Sequence, residues 1–257
     1  MGAVVTQALA PGGAPEGREE IGCAEVGCSV APSVRLRAMA ALFGLRVTKR
    51  RDDRWARHLR TEARRVWRAA REPGVTLVVG PSGSGKSTLL RHVARCATRR
   101  GAVHWVRPRR DRTPLADRYR GGPGRTLDVL ASAGLAEARL LARTPSELSE
   151  GQAARLALAD ALAEAQARAA RGRGPSTLIA DEFCSVLDRT TARSVAVTWR
   201  RAVRRAGLRA FVATAHDDVE AWLAPDGVVR VDLAGRVRVQ RASPIESIVM
   251  PEARVHA

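Results

Sequence analysis

The sequence predicts an α/β fold with a mostly parallel central sheet flanked by helices, an abbreviated helical subdomain and a C-terminal β-hairpin. Short apolar segments alternate with helical segments between Val75 and Thr214, which is the pattern of strands joined by crossover helices. Such connections return each strand in the same direction, so we expect the strands to pair in parallel. Two alternating segments, 227–233 and 236–241, flank a predicted turn at Ala234–Gly235 and together predict the hairpin.

The chain of 257 residues is long enough for one substantial α/β domain with additional segments. Residues 1–32 are rich in Gly, Ala and Pro and predict a disordered leader. Residues 33–70 predict a basic helical extension, 71–241 the main domain and 242–257 a tail. No apolar run approaches the roughly 18 residues of a membrane-spanning helix, and no signal peptide is evident, so a cytoplasmic location is expected.

The composition is strongly basic, with 44 basic and 26 acidic residues and a net charge of +18. One interpretation is a phosphate-binding surface, which makes nucleic acid a candidate partner. The other is that an arginine-rich, lysine-poor chain reflects a GC-rich genome. Composition does not place the charges on a surface, and both interpretations stay open. The four cysteines lack the spacing of a zinc site and are expected to be free thiols.

A glycine-rich segment follows the predicted strand Val75–Val79 and precedes a predicted helix. Its spacing fits G-x-x-x-x-G-K-[ST], a loop whose backbone N–H groups surround phosphate oxygens. Lys86 is expected to reach the β- and γ-phosphates of ATP, and the Ser87 hydroxyl to bind Mg²⁺. The predicted nucleotide-binding residues are Gly80, Pro81, Ser82, Gly83, Ser84, Gly85, Lys86, Ser87 and Thr88.

Two carboxylates follow a second apolar strand, Thr177–Ala180. Asp181 is expected to hold Mg²⁺, usually through water, and Glu182 to polarise the attacking water as general base. The pattern is weak alone because many strands end in acidic residues. It becomes specific when it follows a phosphate-binding loop.

The segment Leu148–Gln152 precedes a long predicted helix. Ser149 is a candidate N-cap, and one interpretation assigns it that purpose alone. In the functional interpretation, Ser149 and Gly151 receive the γ-phosphate of a nucleotide held by a second subunit. This segment resembles the signature motif of ABC ATPases, with Glu150 where Gly is more usual.

The order of the later motifs strengthens the resemblance. Ser185–Asp188 resembles the D-loop of ABC ATPases, and His216, just after a predicted strand, resembles their switch histidine. The resemblance implies a head-to-tail homodimer that forms with ATP. One copy would contribute Lys86, Ser87, Asp181, Glu182 and His216 to each site, and the other would contribute Ser149, Gly151 and Asp188.

Two expected features of that family are absent from the sequence. No Gln lies between Lys86 and Gln152, where ABC ATPases carry one that touches Mg²⁺ and couples to a membrane partner. An aromatic residue that stacks on adenine is not evident upstream of the loop, and Trp55 is a weak candidate. These departures argue against a membrane partner.

Residues 143–152 and 180–192 resemble a group of prokaryotic ABC-type ATPases, some of which are joined to a GNAT-type acetyltransferase domain.

Three functions therefore stay open: an ATPase acting on nucleic acid, the ATP-binding subunit of a transporter, and a regulatory subunit of a partner enzyme such as an acetyltransferase. The first rests on two basic segments. These are Arg107, Arg109, Arg110 and Arg112 in a predicted exposed loop, residues 107–124, and Arg200, Arg201, Arg204 and Arg205 on a predicted helix.

Overall fold

A computed structural model describes residues 24–28, 31–49, 53–70 and 73–241. The chain divides into two compact units, with the division between His58 and Leu59. The division therefore falls inside a helix, α2 (Asp53–Ala69), and not at residue 71 as the sequence predicts. The reason is that the second half of α2 carries buried side chains, among them Leu59 and Val66, that belong to the core of the second unit.

The first unit contains a parallel pair of strands joined by a helix. Strand β1 (Ala24–Cys28) pairs with β2 (Leu45–Lys49), and α1 (Val34–Leu42) connects them. Ser33 caps α1, because its Oγ accepts a hydrogen bond from the Leu36 N–H at 3.2 Å.

These two strands correct two sequence predictions, the disordered leader and the helical extension. Strand β1 lies within the predicted disordered leader, whose residues 1–23 and 29–30 fall outside the described part of the chain. Strand β2 lies within the extension predicted to be helical. Each strand obtains its hydrogen bonds from a partner far along the chain, and local sequence patterns do not reveal such pairing.

The second unit is built on a six-stranded sheet with the order β4-β5-β6-β3-β7-β8. Strands β3 to β7 are parallel, and β8 runs antiparallel to β7. The predicted fold class and the predicted hairpin are thus confirmed. The strands span Gly74–Val79 (β3), Ala102–Trp105 (β4), Ser176–Ala180 (β5), Arg209–Thr214 (β6), Gly227–Val231 (β7) and Val237–Arg241 (β8).

Helices follow most of these strands and cover the sheet. They span Lys86–Ala97 (α3), Gly122–Ala131 (α4), Glu150–Ala170 (α5), Arg189–Arg205 (α6) and Asp218–Leu223 (α7). All residues of β3, β5 and β6 are buried, as expected for parallel strands covered on both faces. Trp199 of α6 lies in this core, where its indole N–H donates to the Leu158 carbonyl at 3.3 Å and its ring lies 5.4 Å from that of Phe183.

The segment between β4 and α5 is anchored to α5 through a buried ion pair. Arg118 donates to both carboxylate oxygens of Asp160 at 2.7 Å, and the Tyr119 hydroxyl donates to the same carboxylate at 2.7 Å. The side chains of Arg118 and Asp160 are only 7% and 8% exposed. Burial and the adjacent Asp160 charge raise the pKa of Tyr119. The stretch 107–124, predicted as an exposed loop, is therefore partly buried.

Removal of this carboxylate should destabilise the fold strongly. We expect Asp160→Ala to lower the free energy of unfolding by about 3–5 kcal/mol, because the buried Arg118 loses its main counter-ion. Urea unfolding followed by circular dichroism measures the change. The control is Glu137→Ala, which breaks the exposed pair with Arg139 and should cost about 1 kcal/mol or less. Similar losses in the two variants would show that the buried pair adds little to stability.

Candidate functional site

Three neighbouring strands bring the predicted catalytic segments to one edge of the sheet. Strand β6 lies between β3 and β5, with Val79 opposite Thr214 and Ala180 opposite Val212. Because the strands are parallel, their carboxyl ends meet at the same edge, which is the usual ligand edge of open α/β sheets. The glycine-rich loop, the acidic pair and the segment of His216 follow these three ends.

The glycine-rich loop packs too closely on the sheet for side chains at some positions. A Cβ atom on Gly80 would lie 2.1 Å from the Val231 carbonyl oxygen, so the chain can pass there only as glycine. Gly83 and Gly85 adopt left-handed backbone conformations, with φ of +80° and +96°. Gly85 is the N-cap of α3, so the loop leads directly to the positive end of that helix.

Lys86, the first residue of α3, folds back over this loop. Its ammonium group donates to the carbonyl oxygens of Gly80 at 2.7 Å and Pro81 at 2.8 Å. Burial lowers the pKa of Lys86, and the charges of Asp181 and Glu182 oppose that shift.

The loop has the features of a phosphate site. Bound anions are favoured here by the ammonium group of Lys86, by the glycine-rich backbone and by the start of α3. The Ser84 hydroxyl is fully buried, and within the described residues it has no hydrogen-bond partner. Such an unsatisfied group is costly unless something else binds there. The arrangement therefore fits the phosphates of ATP, with Ser87 and Asp181 as the candidate holders of Mg²⁺.

The acidic pair ends β5 in a strained turn. Glu182 and Cys184 adopt left-handed conformations, with φ of +52° and +60°, which cost about 1–3 kcal/mol each and occur most often at functional sites. The turn is held by hydrogen bonds from the Phe183 N–H to the Ala213 carbonyl at 2.7 Å and from the Ser185 hydroxyl to the Glu182 carbonyl at 2.8 Å. Glu182 is thereby kept exposed at the ligand edge.

His216 lies just beyond the end of β6. Its backbone N–H donates to the Thr214 Oγ1 at 3.2 Å, and the residue is exposed. Because β6 pairs with both β3 and β5, His216 follows the strand between the loop and the acidic pair.

The signature segment begins α5 with a reciprocal cap. The Ser149 hydroxyl accepts from the Gln152 N–H at 3.3 Å, and the Gln152 side chain accepts from the Ser149 N–H at 3.1 Å. A Cβ atom on Gly151 would lie 3.2 Å from the Leu187 side chain. The start of α5 therefore packs against the D-loop segment of the same chain.

Asp188 performs the same capping role for α6. Its carboxylate accepts from the Thr191 N–H at 2.9 Å, and the hydrogen bonds from Thr191 lower the pKa of Asp188. Ser149 and Asp188 are both exposed. Among the described residues, neither forms a hydrogen bond or ion pair with the glycine-rich loop. The predicted site residues thus either follow the carboxyl ends of β3, β5 and β6 or lie at the starts of α5 and α6.

Sequence reasoning did not identify the contacts of Asp160. The available signal was a single acidic residue within the apolar stretch 156–163 of α5. Trp55 is the weak candidate for an aromatic residue that stacks on adenine, and its side chain lies outside the described part of the structure.

Comparison with known proteins supports the same assignment. The family model described as "AAA ATPase domain" matches residues 57–228, which is more than half of the chain. The sn-glycerol-3-phosphate import ATP-binding protein UgpC of Ralstonia nicotianae is 30% identical over 205 residues, covering 68% of this chain and 53% of that protein. The maltose/maltodextrin import ATP-binding protein MalK of Escherichia coli is 31% identical over 206 residues, covering 68% and 52%.

The chain thus spans about half the length of these curated relatives. Among solved structures, the dimeric bacterial ABC transporter cassette MJ0796 has a TM-score of 0.50 and 23% identity, covering 68% of this chain and 88% of that one. This likeness supports the fold. In the described part of the chain, no helix is both long and apolar enough to cross a membrane. The chain belongs to the AAA ATPase domain family as an ABC-type P-loop ATPase, whose ATPase domain binds ATP with Mg²⁺ and hydrolyses it.

Proposed function

We propose that this chain works as an ATP-dependent homodimer in which each ATP is held between two copies arranged head to tail. The observation that carries the proposal is that, among the described residues, Ser149 and Asp188 cap their own helices and form no hydrogen bond or ion pair with the glycine-rich loop of the same chain. Ser149, Gly151 and Asp188 lie at the adjoining starts of α5 and α6, and two of them are exposed. A second copy can therefore bring this surface to a nucleotide bound at the first copy's loop.

In the proposed site, each residue has a separate task. Lys86 and the loop backbone bind the β- and γ-phosphates, and Ser87 and Asp181 hold Mg²⁺, which neutralises charge on the phosphates. Glu182 accepts a proton from the attacking water. The water oxygen bonds to the γ-phosphorus as the bond to the ADP oxygen breaks. In this proposal, His216 donates a hydrogen bond to the γ-phosphate, and Ser149 of the other copy caps the same group.

The work coupled to hydrolysis has more than one candidate. The two curated relatives are named as import ATP-binding proteins, which supports the role of an importer subunit. Co-purification with an integral membrane protein tests that role. Action on nucleic acid is supported by the basic composition. Control of a partner enzyme such as an acetyltransferase rests on sequence resemblance, and a cytoplasmic location stays a prediction from the sequence.

Substitution of the proposed base should separate ATP binding from hydrolysis. We expect Glu182→Gln to lower the rate of phosphate release by about 100-fold or more, because the amide cannot accept the proton. The variant should still bind ATP and should elute as a dimer in size-exclusion chromatography with Mg-ATP. The control Glu137→Gln changes an exposed acid elsewhere and should keep the original rate. Unchanged turnover in Glu182→Gln would exclude this residue as the base.

A mixing experiment tests whether two copies share each site. Lys86→Ala removes the phosphate contact of one half-site, and Ser149→Arg blocks the other, so each variant alone should be inactive. In a mixed dimer, one site combines the intact loop of one copy with the intact signature segment of the other. An equal mixture should therefore recover about a quarter of the original activity, since half of the dimers are mixed and each has one complete site.

The control is a second equal mixture, in which the Lys86→Ala variant is combined with the Glu182→Gln variant. Both changes lie in the same half-site, so no mixed dimer contains a complete site and activity should stay absent. Recovery in this control, or none in the first mixture, would contradict the shared arrangement.

A further inference from the structure

The edge of the main sheet opposite the nucleotide site is strongly basic. An open cavity of about 730 Å³ lies where β4, β5 and β6 begin. It is bordered by the second half of α2 and by the residues after α3. Its charged lining consists of Arg64, Arg68, Arg99, Arg100 and Arg209, and no acidic residue of the described chain lines it.

Four of these arginines are exposed and uncompensated. Arg64, Arg68, Arg99 and Arg100 are exposed and form no ion pair with any residue that the structure describes. Helix C-termini favour positive side chains, which accounts for one or two arginines at the end of α3. That effect does not account for the convergence of two helices on one cavity. Guanidinium groups match phosphate oxygens in a two-pronged geometry, so the cavity favours phosphate ligands.

The cavity also contains a fixed aromatic and cationic pair. The Arg209 guanidinium lies 4.1 Å from the centre of the Trp67 ring, and this ring stacks on Phe211 at 5.8 Å. Trp67 is thus already engaged by two neighbours, and the inference drawn here depends on the charged groups and not on base stacking.

The basic surface extends beyond the cavity along the same edge. Arg173 precedes β5, and Arg205 ends α6 just before β6, both of them exposed. Adjacent strands are about 4.8 Å apart, so β4, β5, β6 and β3 span about 15 Å. Successive phosphates of one DNA strand are spaced about 3.4 Å along the helix axis, so this length matches about four of them. A surface of this length fits an extended polyanion better than one small phosphorylated molecule.

We propose that this basic edge binds the phosphate backbone of nucleic acid without sequence preference. The basic edge is defined by Arg64, Arg68, Arg99, Arg100, Arg173 and Arg205, with Arg209 in the lining of the cavity. The binding goes beyond the proposed ATPase function and does not rest on it, because the nucleotide site occupies the opposite edge of the sheet. The test can therefore fail for one site and succeed for the other.

The test compares two double variants that remove the same charge. Binding of a fluorescein-labelled 30-base-pair DNA duplex of mixed sequence is followed by fluorescence anisotropy at increasing salt. We expect Arg99→Gln with Arg100→Gln to weaken binding about tenfold or more at 0.1 M salt. The slope of log K against log salt concentration should become shallower by about 2, since two phosphate contacts are lost.

The matched control is Arg139→Gln with Arg236→Gln, which removes two exposed arginines outside the basic edge. We expect less than a twofold change for this pair. Equal weakening by the two pairs would show attraction to net charge alone and would overturn the proposal. Absence of duplex binding by the unaltered protein would also overturn it.

Two further measurements identify the ligand and verify folding. Tight binding of inositol hexakisphosphate, or of vesicles with 20% phosphatidylserine, without duplex binding would replace nucleic acid by another ligand. Basal ATP hydrolysis by Arg99→Gln with Arg100→Gln should equal that of the unaltered protein, which shows that the variant folds. Lys86→Ala should retain duplex binding in the absence of ATP. Its loss there would contradict the separation of the two sites.

Discussion

The parallel pairing of β6 with both β3 and β5 is the constraint on which this site depends. It brings the end of β3, the acidic pair after β5 and His216 after β6 to one edge, although these segments are far apart in the sequence. Burial of all three strands holds that arrangement, because a shift of one residue would place buried side chains on the wrong face. Local features at this edge, such as the strained turn at Glu182, are positioned by that strand pairing.

The opposite edge of the sheet follows from the same constraint. Parallel strands have all their amino ends together, and each is preceded by the end of a helix or by a turn. Arginines in those preceding segments are widely separated in the sequence but become neighbours in the fold. Of the two basic segments singled out from the sequence, the one on α6 contributes Arg205 to this edge, whereas the loop segment does not. Arg109 pairs with Glu164, and Arg107 lies 5.1 Å over the Trp105 ring, so part of that charge is used within the chain.

Much of the fold could be predicted from the sequence because it depends on local signals. The strand before Gly80, the acidic pair after Ala180 and the terminal hairpin each have a pattern of a few residues. The β1–β2 pair and the division within α2 could not be predicted, because they depend on contacts between distant segments. The same is true of the contacts of Asp160, where a buried charge finds partners about forty residues earlier in the chain.

The scarcity of lysine gives the nucleotide loop an unusual chemical status. Lys49 and Lys86 are the only lysines in the sequence. Burial lowers the pKa of Lys86, so at a given pH the neutral, nucleophilic amine is a larger fraction of this side chain's population than for an ordinary lysine. Acylation of that amine would remove the positive charge now bonded to two carbonyl oxygens of the loop. In proteins with many lysines, reagents that modify amines react at many places on the surface. In this chain only two lysine side chains can react, and bound ATP would shield one of them, Lys86.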